Sequence, residues 1–476
     1  MYGRFDGLSM GPGLSEAQDS YRPETATVLA PGPEEHRWGL DFVGLLFYIF
    51  IEYTRLAVMY PVLAPLQLGK VSLLMALLGV LACRAAPSAD DNGRMKAAIV
   101  LLGVFCCMSG LAAHYTVVPD GPLWNIPEQL IAAFLIARAI TNRWRSKGFI
   151  LLLFLLNFKI AQHGLRTYVV GHAQTTNEMA FVKFGIIGGG RGFYDNSADL
   201  GVAMCVVFGL SLALFQATNG RKWRIFLLAC LLAFGALILV CGSRGAIVGA
   251  VGIVLATWAR SAKKSWSLVF VLLFALGLVY LMPHASRDRF QSAEDYQHDQ
   301  TANHRVLLWK AGLRMWSDNP ILGVGPANYR YVRQTSYRIS VANDRDAFVC
   351  HSLYIEVISE LGVLGTLAAA AIIIFFFLLT GRVRKRLLAS GAGRQNWEVC
   401  LASGLQLAMI GYLVSGAFVS VFWYPHIWIL SGLAMGLNTA TAALEAPANS
   451  NLTECKPHFR MSNCTRNVTN VDFSRS

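Results

Sequence analysis

The sequence predicts an all-α polytopic membrane protein with about 12 transmembrane helices and one long, partly helical external loop. Three observations predict it. The chain of 476 residues is 55% hydrophobic and only 14% charged, with a mean hydropathy of +0.46. Its apolar runs are too long for barrel strands, and only helices and closed barrels satisfy their backbone in lipid. The basic residues are sorted by loop, as the positive-inside rule requires.

Residues 1–37 are polar, with scattered Pro, Gly and acids. They lack the basic start and short apolar core of a cleavable signal and read as a disordered cytoplasmic tail. Spans are expected near 39–60, 62–83, 96–115, 124–141, 148–164, 198–217, 224–241, 244–260, 266–282, 353–380, 398–421 and 426–444. The domains follow: spans one to nine over 38–282, interrupted by a loop at 165–197; a large external loop over 283–350; spans ten to twelve over 351–444; and a disordered cytoplasmic tail at 445–476. The first span carries Glu52 and Arg55, whose i,i+3 spacing allows them to pair. Spans seven and eight come from one apolar run. Between Arg224 and Arg260 lie 35 residues, of which Arg244 alone is charged. A bilayer core of roughly 30 Å takes about 20 helical residues, so this run holds two spans. Their fold-back belongs at Cys241-Gly242-Ser243-Arg244-Gly245, where glycine permits tight backbone angles. Arg244 then stands at a hairpin tip.

The short loops 84–96, 142–148, 219–224, 260–265 and 381–396 hold 17 Lys and Arg, whereas those around 60, 116–123 and 422–425 hold none. Both termini are therefore expected in the cytoplasm. The tail sequons at Asn451, Asn463 and Asn467 then carry no glycosylation meaning. Loops 165–197 and 283–350 face outward, and long loops translocate regardless of charge. Loop 283–350 alone carries Arg287, Arg289, Arg305, Lys310, Arg314, Arg330, Arg333, Arg338 and Arg345. Arginines clustered beside lipid predict an anionic ligand at the outer face. Most of them have loop acids at hand, such as Asp288, Glu294, Asp295, Asp318, Asp344 and Asp346. Arg244 has none nearby in sequence. The ten cysteines show no paired spacing, which argues against a disulfide framework and against zinc.

Three stretches bear chemistry. In 184–201, Gly188-Gly189-Gly190 precedes Arg191, and flexible backbone N–H groups beside a guanidinium make a phosphate nest. The same residues also suit a plain helix entry capped by Asn196 or Ser197. No Gly-Lys-Ser/Thr follows, so this is not a P-loop. In 302–332, Asn303 is placed to cap a helix that ends before Pro320. Val306, Trp309, Leu313 and Trp316 set an apolar stripe. Arg305 lies at its edge and aims inward, while Lys310 and Arg314 face water or headgroups. In 348–367, His351 stands at the outer start of span ten. A helix N-terminus and nearby arginines disfavour imidazolium, leaving a neutral ring able to accept a proton. His284, His298, His304 and His426 have no comparable surroundings in the sequence. Glu356 and Glu360 lie one turn apart, placed to pair with other helices or to orient a partner. No Asp-x-Asp or His/Asp cluster falls on the outer face, so arginines would replace a cation in any diphosphate chemistry.

Together these pieces resemble the O-antigen ligase family, within the O-antigen ligase and polymerase superfamily. Gly242-Ser243-Arg244-Gly245, Arg305 with Trp309, Asn319-Pro320-Ile321-Leu322-Gly323-Val324-Gly325-Pro326, and His351 followed by Glu360-Leu361-Gly362-Val363-Leu364-Gly365 carry the resemblance, over roughly 185–367. The family often has His-Asn where this chain has His351-Ser352. The resemblance implies a lipid-linked-sugar glycosyltransferase with a GT-C-like architecture in the bacterial inner membrane and its active site on the periplasmic face. The implied enzyme inverts configuration and uses neither metal nor cofactor. Its donor is a glycan on undecaprenyl diphosphate and its acceptor is the lipid A-core oligosaccharide of lipopolysaccharide. His351 becomes the catalytic base, and Arg191, Arg244 and Arg305 the diphosphate-binding residues. Membrane lipid is a partner and nucleic acid is not. A protein O-oligosaccharyltransferase or an O-antigen polymerase would use the same parts with a different acceptor. A transporter of lipid-linked oligosaccharide fits less well, since transporters place their site near the midplane between internal repeats, and this chain shows no repeat.

Overall fold

The computed structural model describes residues 38–82, 92–113, 125–172, 197–217, 220–261, 300–339 and 348–445, with isolated positions between 264 and 277. Among these the secondary structure is helical throughout, with no strand. The principal helices are α1 (Leu40–Thr54), α2 (Leu68–Ala82), α3 (Gly93–Ala112), α4 (Asn125–Ala139), α5 (Arg143–His172), α6 (Ser197–Leu214), α7 (Arg221–Val240), α8 (Arg244–Arg260), α9 (Gln300–Asp318), α10 (Tyr329–Ser336), α11 (Leu353–Ala389), α12 (Trp397–Gly416) and α13 (His426–Glu445). Seven of the described segments are long and apolar enough to cross a membrane. The protein is a polytopic membrane protein. A helix lies at each expected span except 266–282, most of which falls outside the described residues.

The core is built on α6. Every residue from Asp199 to Leu214 is buried, as expected of a helix that is apolar all round. It packs against α7, α8 and α12. Small residues set the spacing: Gly209 abuts the backbone of Leu407 and Ala408, and Gly249 on α8 abuts Ser415 and the Gly411 carbonyl. Close approach through small residues is how helices associate where lipid supplies no hydrophobic drive between them.

Polar contacts tie helix ends together. At the start of α5, Arg145 donates to Asp41 at 2.6 Å and to the Ala139 carbonyl at 2.8 Å. At the start of α12, the Trp397 indole donates to Ser146 Oγ at 3.1 Å. Late in α11, Arg386 reaches Thr441 at 2.7 Å. The basic residues on these helices therefore gather at one end of the bundle.

Several expectations need correction. Segment 142–148 is not a loop, because α5 begins at Arg143 and buries Arg145. The same helix runs to His172, past the expected end at 164. Likewise α11 continues to Ala389, into the expected loop 381–396. Beyond its break at Gly362 the helix still runs from Val363 to Ala389, about 40 Å at 1.5 Å per residue and longer than a bilayer core. Asn303 does not cap α9, which already includes Gln300. The buried stripe of α9 is Leu308, Ala311, Gly312 and Met315, while Val306 and Leu313 are exposed. The small Ala311 and Gly312 let α9 close on α11, where Gly312 meets Ile355. Lys310 and Arg314 are exposed, as expected. Glu52 and Arg55 lie 3.8 Å apart.

Candidate functional site

At the end of the bundle opposite the basic one, four segments converge. The first is the turn between α7 and α8. Gly242 takes φ +66, and Ser243 caps α8 by accepting from the Ala246 N–H at 3.3 Å. Arg244 is therefore the first residue of α8, at the fold-back where the sequence placed it. The second is the start of α6, where Gly201 abuts Ala246, Cys241 and Ser243. The third is the entry to α11, with Cys350, His351 and Ser352. The fourth is the connector between α12 and α13, residues 417–425, which touches all the others. Phe418 abuts Gly245. Ser420 Oγ lies 3.2 Å from Cys350 Sγ. The Phe422 N–H donates to Glu356 at 3.0 Å, and the Tyr424 hydroxyl donates to Asp199 at 2.7 Å.

A fifth element, α9, brings Arg305. It packs along α11, and Arg305 stands one turn before the buried Leu308. Both Arg305 and His304 lie close enough to His351 to act on it electrostatically. Burial, then Arg305, then His304 push the His351 imidazole down to about 4. Removing the ring from water disfavours its charged form, and each neighbouring positive charge disfavours it further. The ring is neutral at pH 7 and able to accept a proton. Its backbone is left-handed, with φ 52, an uncommon conformation for a residue with a side chain. Held this way, His351 precedes the helix proper, and its orientation is fixed by the chain path rather than by the helical repeat.

That path is braced by a weld between α11 and segment 319–329. At Gly362 α11 is broken, with φ +62 and ψ −161. The chain at 319–325 lies along the break. Val324 N–H donates to the Ser359 carbonyl at 2.9 Å, Gly325 N–H to the Glu360 carbonyl at 3.0 Å, and Val363 N–H to the Pro320 carbonyl at 2.9 Å. Carbonyls freed by the kink are thus satisfied, as buried backbone requires. Ser109 on α3 caps the same place, donating to the Leu322 and Glu360 carbonyls. The Glu360 carboxylate accepts from the N–H of Ala327 at 2.8 Å, the N–H of Tyr329 at 3.0 Å and the Trp423 indole at 2.7 Å. Among the described residues neither Glu356 nor Glu360 forms a salt bridge. They gather backbone and indole N–H donors from the two segments that flank the entry to α11.

Sequence reasoning missed His304, whose ring stands edge-on to Phe348 at 4.7 Å and whose charge His351 senses. It also missed Trp423 and Arg333, the latter fully buried with its guanidinium 5.8 Å from the Phe348 ring centre. No periodicity in the sequence points to these partners, which meet only through the fold. Arg191 and the three glycines before it lie outside the described residues. So do the loop acids named above except Asp318, which accepts from the Tyr337 hydroxyl at 2.6 Å. Of the four expected site residues, His351 and Arg305 are brought together; Arg244 starts α8, and its neighbour Gly245 meets Phe418 of the 417–425 connector.

Residues 228–370 match the family model described as O-Antigen ligase. Over that region the chain is similar to the O-antigen ligase family. No curated protein matches the chain significantly. The O-antigen ligase region runs from within α7 to within α11, and so contains Arg244, Arg305, the weld at Gly362 and His351. The connector 417–425 and Asp199 lie beyond it.

Proposed function

We propose that this protein is an O-antigen ligase. It transfers a polysaccharide from undecaprenyl diphosphate to a sugar hydroxyl of the lipid A-core oligosaccharide, completing lipopolysaccharide. The observation that carries this reading is a neutral imidazole beside a guanidinium, inside the region that matches the family. In the reaction, the acceptor oxygen attacks the anomeric carbon and its proton passes to His351. The bond from that carbon to the diphosphate oxygen breaks, and undecaprenyl diphosphate leaves with the bonding electrons. Charge grows on the leaving oxygens, so fixed cations aimed there lower the barrier. Arg305 and Arg244, joined by Arg191, fill that role without a metal, because guanidinium stays charged and grips phosphate with two hydrogen bonds. Attack opposite the diphosphate inverts the anomeric configuration. The gathering of basic residues at the other end of the bundle supports a cytoplasmic placement of that end, and with it a site on the periplasmic face of the bacterial inner membrane.

The test is purified protein in lipid nanodiscs with lipid-linked glycan and core lipid A, in excess chelator. His351→Ala lowers the rate by roughly 10²–10⁴, the usual worth of a general base. A variant as active as wild type removes His351 from the chemistry. A product retaining the donor's configuration removes the single displacement. Glycan transferred only to protein, or only to another lipid-linked glycan, reassigns the acceptor.

A further inference from the structure

The end of the bundle away from His351 holds a cavity that the proposed transfer does not use. Its volume is about 570 Å³, within the range of ~300–1,000 Å³ typical of small-molecule sites. The starts of α5, α7 and α12 enclose it. Trp144, Trp223 and Trp397 wall it, and Arg143 and Lys147 stand at it. Trp223 and Trp397 lie 6.3 Å apart by ring centres, and Trp397 is fixed by its hydrogen bond to Ser146.

The charges do not balance. Arg143 and Lys147 are four residues apart on one helix face, where like charges repel. Glu398 pairs with Arg143 at 3.3 Å. Lys147 has its ammonium 5.4 Å from the Trp397 ring centre. Among the described residues no carboxylate lies within ion-pair distance of it. Two cations thus face one acid. One turn deeper the lining turns apolar at Leu151, and beside it α7 exposes Ile225, Leu228 and Leu232. A ligand that fits carries one negative charge at its head and hydrocarbon below.

We propose that this cavity binds one anionic phospholipid, its phosphodiester between Arg143 and Lys147 and its glycerol and upper acyl chain against the three tryptophans. Basic pockets between membrane helices recognise acidic headgroups in this way. The geometry separates it from the diffuse attraction of any basic surface: the site is concave, and blocking it leaves the charges in place. Gly220 supplies that block. It lines the cavity with φ −90, and a Cβ there meets nothing within 4 Å.

The test is native mass spectrometry of the full-length protein, titrated with phosphatidylglycerol or with phosphatidylcholine of the same chains. Wild type binds its first phosphatidylglycerol at least about 5-fold more tightly than phosphatidylcholine, and Lys147→Gln lowers that preference by about 5-fold, the usual effect of one cation near an acidic headgroup. Gly220→Trp abolishes the preference with every charge retained. Arg143→Gln acts as Lys147→Gln does; should it misfold through loss of the Glu398 pair, the other two variants decide. Equal affinity for both lipids in wild type, or an unchanged preference in Gly220→Trp, overturns the proposal. Displacement of the lipid by millimolar inorganic phosphate overturns it too, since the site would then be one for a small anion.

Discussion

Replacing Arg305 with Gln tests whether His351 is the base and whether its neutrality is built by its neighbours. The imidazole sits at about 4, against an ordinary 6.5. All of the causes that act on it lower it, and burial is the largest, followed by Arg305 and then His304. Arg305 is the second cause after burial, so the substitution raises the imidazole, by less than its exposure to water would. In wild type the base is neutral down to about pH 5, and kcat/KM falls only as pH drops through about 4. In Arg305→Gln the acid limb moves upward but stays below 6.5, since burial and His304 remain. The plateau also drops, by about 10²–10³ if Arg305 meets the leaving diphosphate, by analogy with loss of one oxyanion donor. Arg305→Lys separates the two effects: it keeps the charge, hence the limb, but loses the two-pronged grip. The assay is transfer from lipid-linked glycan across pH 3.5–8 in nanodiscs, with a refolding control at each pH. A wild-type limb near 6.5, or a limb that stays put in Arg305→Gln while the plateau falls, would refute the electrostatic link between α9 and His351.

Three further outcomes follow from the bracing. Gly362→Ala puts a side chain where φ is +62 and where its Cβ would clash with the Ile321 carbonyl oxygen; strain of about 1–3 kcal/mol, plus the clash, lowers the melting temperature in detergent. Glu360→Gln turns one acceptor into a donor facing N–H groups, leaving at least one buried donor unmet at about 1–3 kcal/mol; melting falls, and activity falls with it because segment 319–329 loosens. Asp41→Asn breaks a pair whose side chains are 5–7% exposed, costing about 3–5 kcal/mol because the Arg145 charge stays buried; a thermal shift within error of wild type would contradict that burial.

How far the sequence reveals this architecture depends on what each element packs against. The helix pair α7–α8 was legible because one apolar run exceeded a single span and Gly242 marked its fold. The core position of α6 is consistent with its uniform apolarity. On α9 the same logic misplaced the stripe. Large apolar side chains suggested Val306, Trp309, Leu313 and Trp316, but the helix meets α11 through Ala311 and Gly312. Closeness there is gained by small residues, which a hydropathy pattern ranks low. Loop boundaries failed for a related reason. Basic residues at 143–147 and 382–386 read as loop, yet nothing prevents Arg and Lys from continuing a helix, and α5 and α11 simply extend through them.

For the site, type was legible and partnership was not. A histidine at a helix entry and isolated arginines are visible in any one-dimensional reading, and so are two glutamates in an apolar span. What the glutamates bind is not. An i,i+4 acidic pair in such a span is placed to pair with other helices or to orient a partner, and Glu356 and Glu360 accept from Phe422, Ala327, Tyr329 and Trp423. Those donors come from the turn after α9 and from the 417–425 connector, separated from the glutamates by about thirty and sixty residues of chain. They meet because Gly362 breaks α11 and lets segment 319–325 lie along the gap. The same break explains why His351 and Arg305 are neighbours at all. Segment 319–329 follows α9 directly, so fixing it to α11 at Glu360 sets where α9 runs, and with it the position of Arg305 relative to a histidine nine residues before the weld. Loss of that anchor should therefore reach the base through geometry, changing the acid limb as well as the rate, whereas damage to the Asp41–Arg145 pair at the far end should lower stability and leave the limb where it is.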